Sequence, residues 1–276
     1  MKKFNLHMVS DSTGETVSSV ARAALAHFDD VEPEEFSWTL VRTKSQMERV
    51  IEAIKENPGA VMYTLVDNQL RDMLKMECAR RGLPCIAVIS TVVSELSSFL
   101  GLETHASPGK QHELNEDYFT RVDAISYALA HDDGQAHWDI EEADIVIVGV
   151  SRTSKSPTCV YLAYKGYKAA NVPFVLGCPL PPSLETLKKP LIVGLTISTD
   201  RLQQIRKTRL QSLKHEEDTN YVDMELMQQE IAESRKLFNQ YKWPVIDVTR
   251  RSVEETAATI VQYLKKHQDK LGNAHD

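Results

Sequence analysis

Short apolar runs alternate with amphipathic segments along most of the 276-residue chain. Ile145–Val148 is the most apolar of these runs, and an uninterrupted apolar strand is typical of a parallel sheet that is covered on both faces. Segments with helical periodicity lie between the runs; Lys44–Glu56 is one, and Asn57-Pro58-Gly59 ends it. This alternation predicts an α/β fold with mainly parallel sheets.

The pattern places strands and helices along nearly the whole chain. The predicted strands cover Phe4–Val9, Phe36–Val41, Val61–Val66, Cys85–Ile89, Ile145–Val148, Pro173–Leu176, Leu191–Ile197 and Pro244–Val248. The predicted helices include Lys44–Glu56, Asp117–Ala130, Thr199–Leu213, Asp223–Tyr241 and a last helix opened by the capping box Ser252–Glu255. We expect an N-terminal α/β domain over 1–115, a helix and connection over 116–141, and a P-loop-like nucleotide-binding domain over 142–276.

Charge and composition argue against several classes of function. Lys and Arg number 32 against 39 Asp and Glu, so the net charge of −7 disfavours nucleic acid and anionic membranes as partners. No apolar run approaches the ~18 residues that span a bilayer. Four cysteines show no C-x-x-C spacing, so neither a zinc site nor a disulfide framework is indicated. We expect a soluble, cytoplasmic, globular protein.

The strongest chemical signal follows the most apolar strand. The candidate nucleotide-binding residues are Gly149, Val150, Ser151, Arg152, Thr153, Ser154, Lys155 and Ser156. They lie between a strand and a helix, where backbone N–H groups and the helix N-terminus hold phosphate. Ser154 stands where the G-x-x-x-x-G-K-[ST] pattern has its second glycine. The alternative is a serine-rich turn with a solvated lysine.

Candidates for proton transfer and metal binding lie at a predicted helix end, in His131-Asp132-Asp133-Gly134. The candidates for a general base are Asp11, Asp132, Asp133 and His131. Ser156 and Asp133 are weak candidates for Mg²⁺ ligands. The same residues also suit an ordinary helix C-terminal turn, in which histidine complements the helix dipole.

Two further segments leave their role open. Ser10–Gly14 follows the first predicted strand and could bind a phosphate or cap the next helix through Ser12 or Thr13. Arg201, Arg206 and Arg209 lie on one predicted helix, placed like the lid of small P-loop kinases. The plain interpretation of those arginines is a solvated helix face.

Several separate motifs, in order, resemble the pyruvate, phosphate dikinase regulatory protein family. They are Ser10–Thr16, His131–Gly134, Gly149–Thr158, Ala169–Pro173, Val193–Ile197, Trp243–Thr249 and Ser252–Glu255. The resemblance runs nearly end to end. It implies a bifunctional enzyme that inactivates the dikinase by phosphorylating a threonine with ADP, releasing AMP. It also implies reactivation by phosphorolysis, in which inorganic phosphate (Pi) takes the phosphoryl group and leaves as pyrophosphate.

On this resemblance Lys155, Asp132, His131 and Arg152 are the catalytic candidates, with ADP and Pi as co-substrates and Mg²⁺ as a further candidate. The serine before Lys155 is typical of the dikinase branch, whereas a sister group acting on phosphoenolpyruvate synthase more often has Cys-Gly-Lys. That synthase is therefore a second possible target. The chain could also be a P-loop small-molecule kinase using ATP, or a non-enzymatic inhibitor that senses nucleotide. A homodimer is compatible with the sequence, which does not define the oligomeric state.

Overall fold

The computed structural model describes residues 1–104, 116–135, 137–213 and 220–272. The chain divides into two compact units, Met1–Glu113 and Leu114–Asp276. Each unit contains a four-stranded sheet in which all paired strands run parallel. The predicted α/β class with parallel sheets is therefore confirmed.

The first unit alternates strands and helices. Its elements are β1 (Lys2–Ser10), α1 (Glu15–Leu25), β2 (Val31–Trp38), α2 (Lys44–Glu56), β3 (Gly59–Thr64), α3 (Asn68–Arg80), β4 (Cys85–Ala87) and α4 (Ser90–Leu100). The strand order is β2-β1-β3-β4. Helix α2 begins with a capping box, in which the Thr43 hydroxyl accepts from the Gln46 N–H and the Gln46 side chain accepts from the Thr43 N–H.

The second unit opens with a helix and then repeats the alternation. Its elements are α5 (Glu116–Ala130), β5 (Ile145–Gly149), α6 (Lys155–Tyr164), β6 (Ala169–Pro173), α7 (Ser183–Thr186), β7 (Leu191–Thr196), α8 (Thr199–Leu213), α9 (Met224–Gln240), β8 (Val245–Asp247) and α10 (Val253–Gly272). Every residue of β5 is buried, as its apolar composition predicts. Short 3₁₀ turns cover Asp132–Gly134, His137–Glu142 and Asn220–Val222.

The strand order of the second sheet, β6-β5-β7-β8, repeats the order of the first. After β5 the chain forms β6 on one side of that strand and then crosses to form β7 on the other. Open α/β sheets bind ligands at such a reversal, outside the carboxyl ends of the strands. The β5–α6 loop, residues 150–154, lies at this position.

Several element assignments differ from the prediction, among them the short helix α7, which was not predicted. Strand β2 is Val31–Trp38 rather than Phe36–Val41, because all eight of its residues pair with β1 despite the glutamates in its exposed part. Strand β6 is Ala169–Pro173 and ends where the predicted strand Pro173–Leu176 begins, since Ala169 pairs with Ile145. Helix α4 was not predicted. No helix in the described part of the chain is both long and apolar enough to cross a bilayer.

Candidate functional site at the carboxyl end of β5

The β5–α6 loop folds tightly against β7. A Cβ atom on Gly149 would lie 2.9 Å from the Leu195 carbonyl oxygen and 2.9 Å from Thr153 Oγ1, closer than such atoms approach, so only glycine fits there. The fully buried Thr153 donates its hydroxyl to the Val150 carbonyl over 2.9 Å. These contacts at Gly149 and Thr153 fix the conformation of the loop without a bound ligand.

Two residues of the loop adopt left-handed backbone conformations that favour glycine. Arg152 has a φ of 74° and Ser154 a φ of 60°. Each such residue costs on the order of 1–2 kcal/mol, and such strain concentrates at functional sites. Within the described residues, no backbone acceptor outside regular elements pairs with the N–H groups of residues 151–154. Unpaired N–H groups next to a helix N-terminus are the kind of arrangement that binds anions in other proteins.

The Lys155 side chain is buried beside this loop. Only 5% of the residue is exposed, and Nζ donates to the Val150 carbonyl oxygen over 3.1 Å. Burial lowers the pKa of Lys155 to about 8, against the opposing attraction of the Asp133 and Asp132 carboxylates. A buried ammonium group with a lowered pKa and a neutral carbonyl as its acceptor would be stabilised by an anionic ligand.

This lowered pKa predicts a pH-dependent stability. Between about pH 8 and the ordinary lysine value of 10.5, the unfolded chain holds a proton on Lys155 that the folded chain has lost. The free energy of unfolding should therefore rise with pH by about 1 kcal/mol per pH unit in this window. Denaturant titrations across the window should show that the free energy of unfolding of the native chain, minus that of Lys155→Met, rises with pH by this amount, because the other titrating groups contribute equally to both proteins. Parallel pH profiles of the two proteins would contradict the expectation.

Asn171 joins the predicted acidic pair to the start of α6. The Asn171 side chain, at the middle of β6, donates from Nδ2 to Asp132 over 2.6 Å and lies 3.3 Å from an Asp133 oxygen. The same amide nitrogen lies 2.9 Å from Ser156 Oγ. We call these four residues the Asn171 cluster. Asn171 is 1% exposed, and its own oxygen Oδ1 has no partner in the described residues.

The four predicted catalytic residues do not all face the loop in the same way. Arg152 belongs to the loop, Lys155 is the first residue of α6, and Asp132 is linked to the first turn of α6 through the Asn171 cluster. His131 is 3% exposed and stacks on Tyr127 with ring centroids 3.7 Å apart. Its Nδ1 lies 2.8 Å from the Tyr127 carbonyl oxygen and its Nε2 lies 2.7 Å from an Asp139 oxygen, so both nitrogens have acceptors outside the loop.

A second group of charged residues supports the loop from α8 and α9. Arg206 is 2% exposed, pairs with Glu230 over 2.7 Å and donates to the Ser151 carbonyl oxygen over 3.4 Å. Its guanidinium lies over the Tyr221 ring at 4.7 Å from the ring centroid. The Tyr221 hydroxyl in turn accepts from Arg152 Nε over 2.9 Å. Sequence reasoning missed Asn171, Tyr221 and Glu230; only the polar Asn171 inside an otherwise apolar strand gave a signal.

Two cavities flank the loop. One of about 810 Å³ lies on the β6 side and is lined mainly by apolar residues that include Val172, Val175 and Pro179, with Asp133 at its edge. The other, of about 430 Å³, lies on the α8 side and includes Arg152 in its lining. The cavity next to β6 is thus mainly apolar, and the one next to α8 is basic.

The remaining candidates lie in the first unit or lack a cluster. Asp11 is buried, and one of its oxygens accepts from the Val66 N–H over 2.6 Å. Burial raises the pKa of Asp11, although the Val66 N–H opposes this. Helix α1 begins after Gly14, which has a φ of 81° and supplies no side-chain cap. Among the described residues, no group of three or more His, Cys, Asp or Glu side chains is placed to hold a metal ion.

Comparison with known proteins gives a consistent result over nearly the whole chain. A family model described as kinase/pyrophosphorylase matches residues 6–261. A protein from Paramagnetospirillum magneticum is 52% identical over 99% of this chain and 88% of its own length. One from Caulobacter vibrioides is 51% identical over 97% and 85%, and one from Anaplasma phagocytophilum 48% over 97% and 96%. All three carry the provisional name of pyruvate, phosphate dikinase regulatory protein.

Proposed function

The chain belongs to the kinase/pyrophosphorylase family and is a phosphotransferase, and from this premise we propose that it regulates pyruvate, phosphate dikinase by moving a phosphoryl group at the β5–α6 loop. In one direction the group passes from the β-position of ADP to a threonine of the dikinase, and AMP leaves. In the other, inorganic phosphate attacks the phosphothreonine, the threonine oxygen leaves, and pyrophosphate forms. The single supporting observation is the buried Lys155 beside a row of loop N–H groups that face no backbone acceptor in the described residues.

One loop suffices for both reactions because the transferred group is the same. The AMP phosphate that leaves in the first reaction and the Pi that attacks in the second occupy equivalent positions relative to it. Phosphoryl transfer depends mainly on positioning and on neutralising charge on the phosphate oxygens. Lys155 and the loop N–H groups supply donors to the transferred phosphoryl, and Arg152 supplies a second cation at its edge.

The apolar cavity on the β6 side is the place we assign to the adenosine of ADP. Nucleoside pockets are largely apolar with a few polar groups at the rim, and this one is lined by valine and proline with Asp133 at its edge. Asp133 lines this cavity and also attracts the Lys155 ammonium, so a nucleoside seated there has Lys155 within the reach of its phosphates in our proposal. A loop long enough for only two phosphates would select ADP over ATP, and an ATP analogue whose γ-phosphate occupied the transfer position in a crystal would contradict this.

The Asn171 cluster suits the proton and metal chemistry. Asp132 accepts from Asn171 and lies near Lys155, so it is placed to take the threonine proton. Ser156 Oγ and Asp133 share the Asn171 amide as neighbour, and this set of hydroxyl and carboxylate oxygens fits Mg²⁺, with Asn171 Oδ1, which has no partner in the described residues, as a further oxygen nearby. Bound there, Mg²⁺ would neutralise phosphate charge.

Asp132→Asn tests the assignment of the base. The amide cannot accept the threonine proton, so the rate of threonine phosphorylation should fall by roughly 10²–10⁴-fold while ADP binding is retained. Glu142→Gln is the matched control, because Glu142 is an exposed carboxylate whose neighbour is Lys168. Single-turnover phosphorylation measured with saturating ADP gives the comparison. An Asp132→Asn variant with the control's rate would remove Asp132 from the mechanism.

The function itself is tested on the purified protein with a histidine-phosphorylated dikinase. ADP and ATP are added in parallel, then Pi, and target phosphothreonine is followed by mass spectrometry together with AMP and pyrophosphate. We expect phosphothreonine with ADP only, then its loss with pyrophosphate formation. Activity on phosphoenolpyruvate synthase alone would keep the chemistry and change the target. Inhibition without phosphothreonine would leave a binding protein, and turnover of a metabolite with ATP would indicate a small-molecule kinase.

We infer the cellular compartment from the state of the cysteines. Cys78, Cys85, Cys159 and Cys178 are all free thiols, as expected in a reducing compartment. We therefore place the reaction in the cytoplasm.

A further inference from the structure

The basic cavity on the α8 side of the loop has an unusual lining. It combines three arginines, Arg152, Arg201 and Arg209, with the neutral polar side chains of Gln204, Thr208 and Ser212. None of the described residues that line it carries a carboxylate. We call it the arginine cleft.

The three guanidiniums of the arginine cleft lack ionic partners within the described part of the chain. None of them forms a salt bridge there, whereas the neighbouring Arg206 is paired with Glu230. Arg152 donates to the Tyr221 hydroxyl and Arg201 to the Gln204 side chain, both neutral acceptors. Three like charges around one cavity repel each other unless an anion occupies it.

The residues of α8 that line the arginine cleft lie on one face of the helix. Arg201, Ile205, Thr208, Arg209 and Ser212 line the cleft and recur at the spacing of one helix face, while Lys207 is exposed elsewhere on the same helix. Helix α8 follows β7, and Arg152 belongs to the loop after β5. The cleft therefore lies at the reversal of strand order between β5 and β7, where open α/β sheets bind ligands.

From this geometry, and resting on the proposed function, we propose that the arginine cleft binds the phosphate monoester carried by the protein substrate and delivers it to the adjoining loop, where its phosphoryl is transferred. Guanidiniums bind phosphate oxygens through paired hydrogen bonds, and hydroxyls such as Thr208 and Ser212 add donors. The cavity assigned to the nucleotide shares no lining residue with the arginine cleft, so the two ligands have separate binding places. Arg152 belongs to the loop and also lines the cleft, so it links the cleft to the place of phosphoryl transfer.

The test separates three ligands that carry phosphate. N-acetyl-O-phosphothreonine amide, inorganic phosphate and ADP are titrated into the full chain and into the double variant Arg201→Gln/Arg209→Gln. Binding of the phosphothreonine probe should weaken roughly 100-fold, about tenfold for each guanidinium removed, while ADP binding stays within about twofold. Lys207→Gln, which removes a charge from the same helix outside the cleft, should change neither.

Each other outcome overturns the proposal in a recognisable way. An unchanged affinity for the phosphothreonine probe removes the cleft from substrate binding. An equal loss for ADP assigns the cleft to the nucleotide, and a loss for inorganic phosphate alone makes it a site for the free ion. Absence of ADP binding to the unaltered chain would instead contradict the proposed function and is distinguishable because it does not depend on the variant.

Discussion

Lys155→Ala is expected to abolish both threonine phosphorylation and phosphorolysis, by roughly 10²–10³-fold or more in each direction. The reason is that the same phosphoryl group crosses the same loop in both reactions. Lys155 is the buried cation that faces it, with only a neutral carbonyl as present partner in the described residues. Rates are measured in both directions on one preparation, so that any loss of folded protein affects them equally.

A separate measurement keeps this prediction from being confused with misfolding. Burying Lys155 costs stability near neutral pH, because burial lowers its pKa to about 8. The alanine variant should therefore unfold at nearly the same denaturant concentration as the native chain. Any decrease should be no larger than the effect of the small cavity that the substitution leaves. A variant that retained full activity in one direction and lost the other would require two separate sites.

Among the variants proposed here, Glu230→Ala should cause the largest decrease in the free energy of unfolding. It leaves the Arg206 guanidinium, which is 2% exposed, without its carboxylate at 2.7 Å. Removing one member of a buried ion pair costs about 3–5 kcal/mol, and the 24% exposure of the Glu230 side chain places the effect near the lower value. Chemical denaturation of the full chain, followed by the fluorescence of its three tryptophans, measures the loss.

Two controls identify the cause of that loss. Glu233→Ala, on the same helix, removes a half-exposed carboxylate from an exposed lysine pair and should cost less than about 1 kcal/mol. The double variant Arg206→Met/Glu230→Leu replaces both charges with apolar groups and should recover most of the stability. If the double variant were as unstable as Glu230→Ala, lost packing rather than an unpaired charge would be the reason.

The sequence predicted the fold class and most element positions because their signals are local. The apolar run Ile145–Val148 and the periodic segment Lys44–Glu56 correspond to β5 and α2 in the structure. Strand β6 was misplaced because Ala169 and Ala170 have little intrinsic strand preference and are held by pairing with β5. The repeated strand order of the two units has no counterpart in the sequence, since topology depends on packing between distant segments.

In the candidate site, too, only the residues with a local sequence signal could be predicted. Residues adjacent along the chain, Gly149 to Ser156, could be selected from their spacing. Asn171, Tyr221 and Glu230 reach the site from other parts of the fold, and only Asn171, a polar residue in an otherwise apolar strand, has a local signal. Ser154 stands where the phosphate-loop pattern has its second glycine, and it adopts the left-handed conformation that favours glycine.

The central claim is that one loop holds the transferred phosphoryl group in both reactions, and competition between ADP and pyrophosphate tests it most directly. ADP is titrated calorimetrically into the protein at increasing fixed concentrations of pyrophosphate, without the dikinase. We predict one ADP per chain, an apparent Kd that rises in proportion to pyrophosphate, and loss of both ligands in Lys155→Ala. An ADP affinity that saturating pyrophosphate leaves unchanged would place the two reactions at different sites and contradict the account.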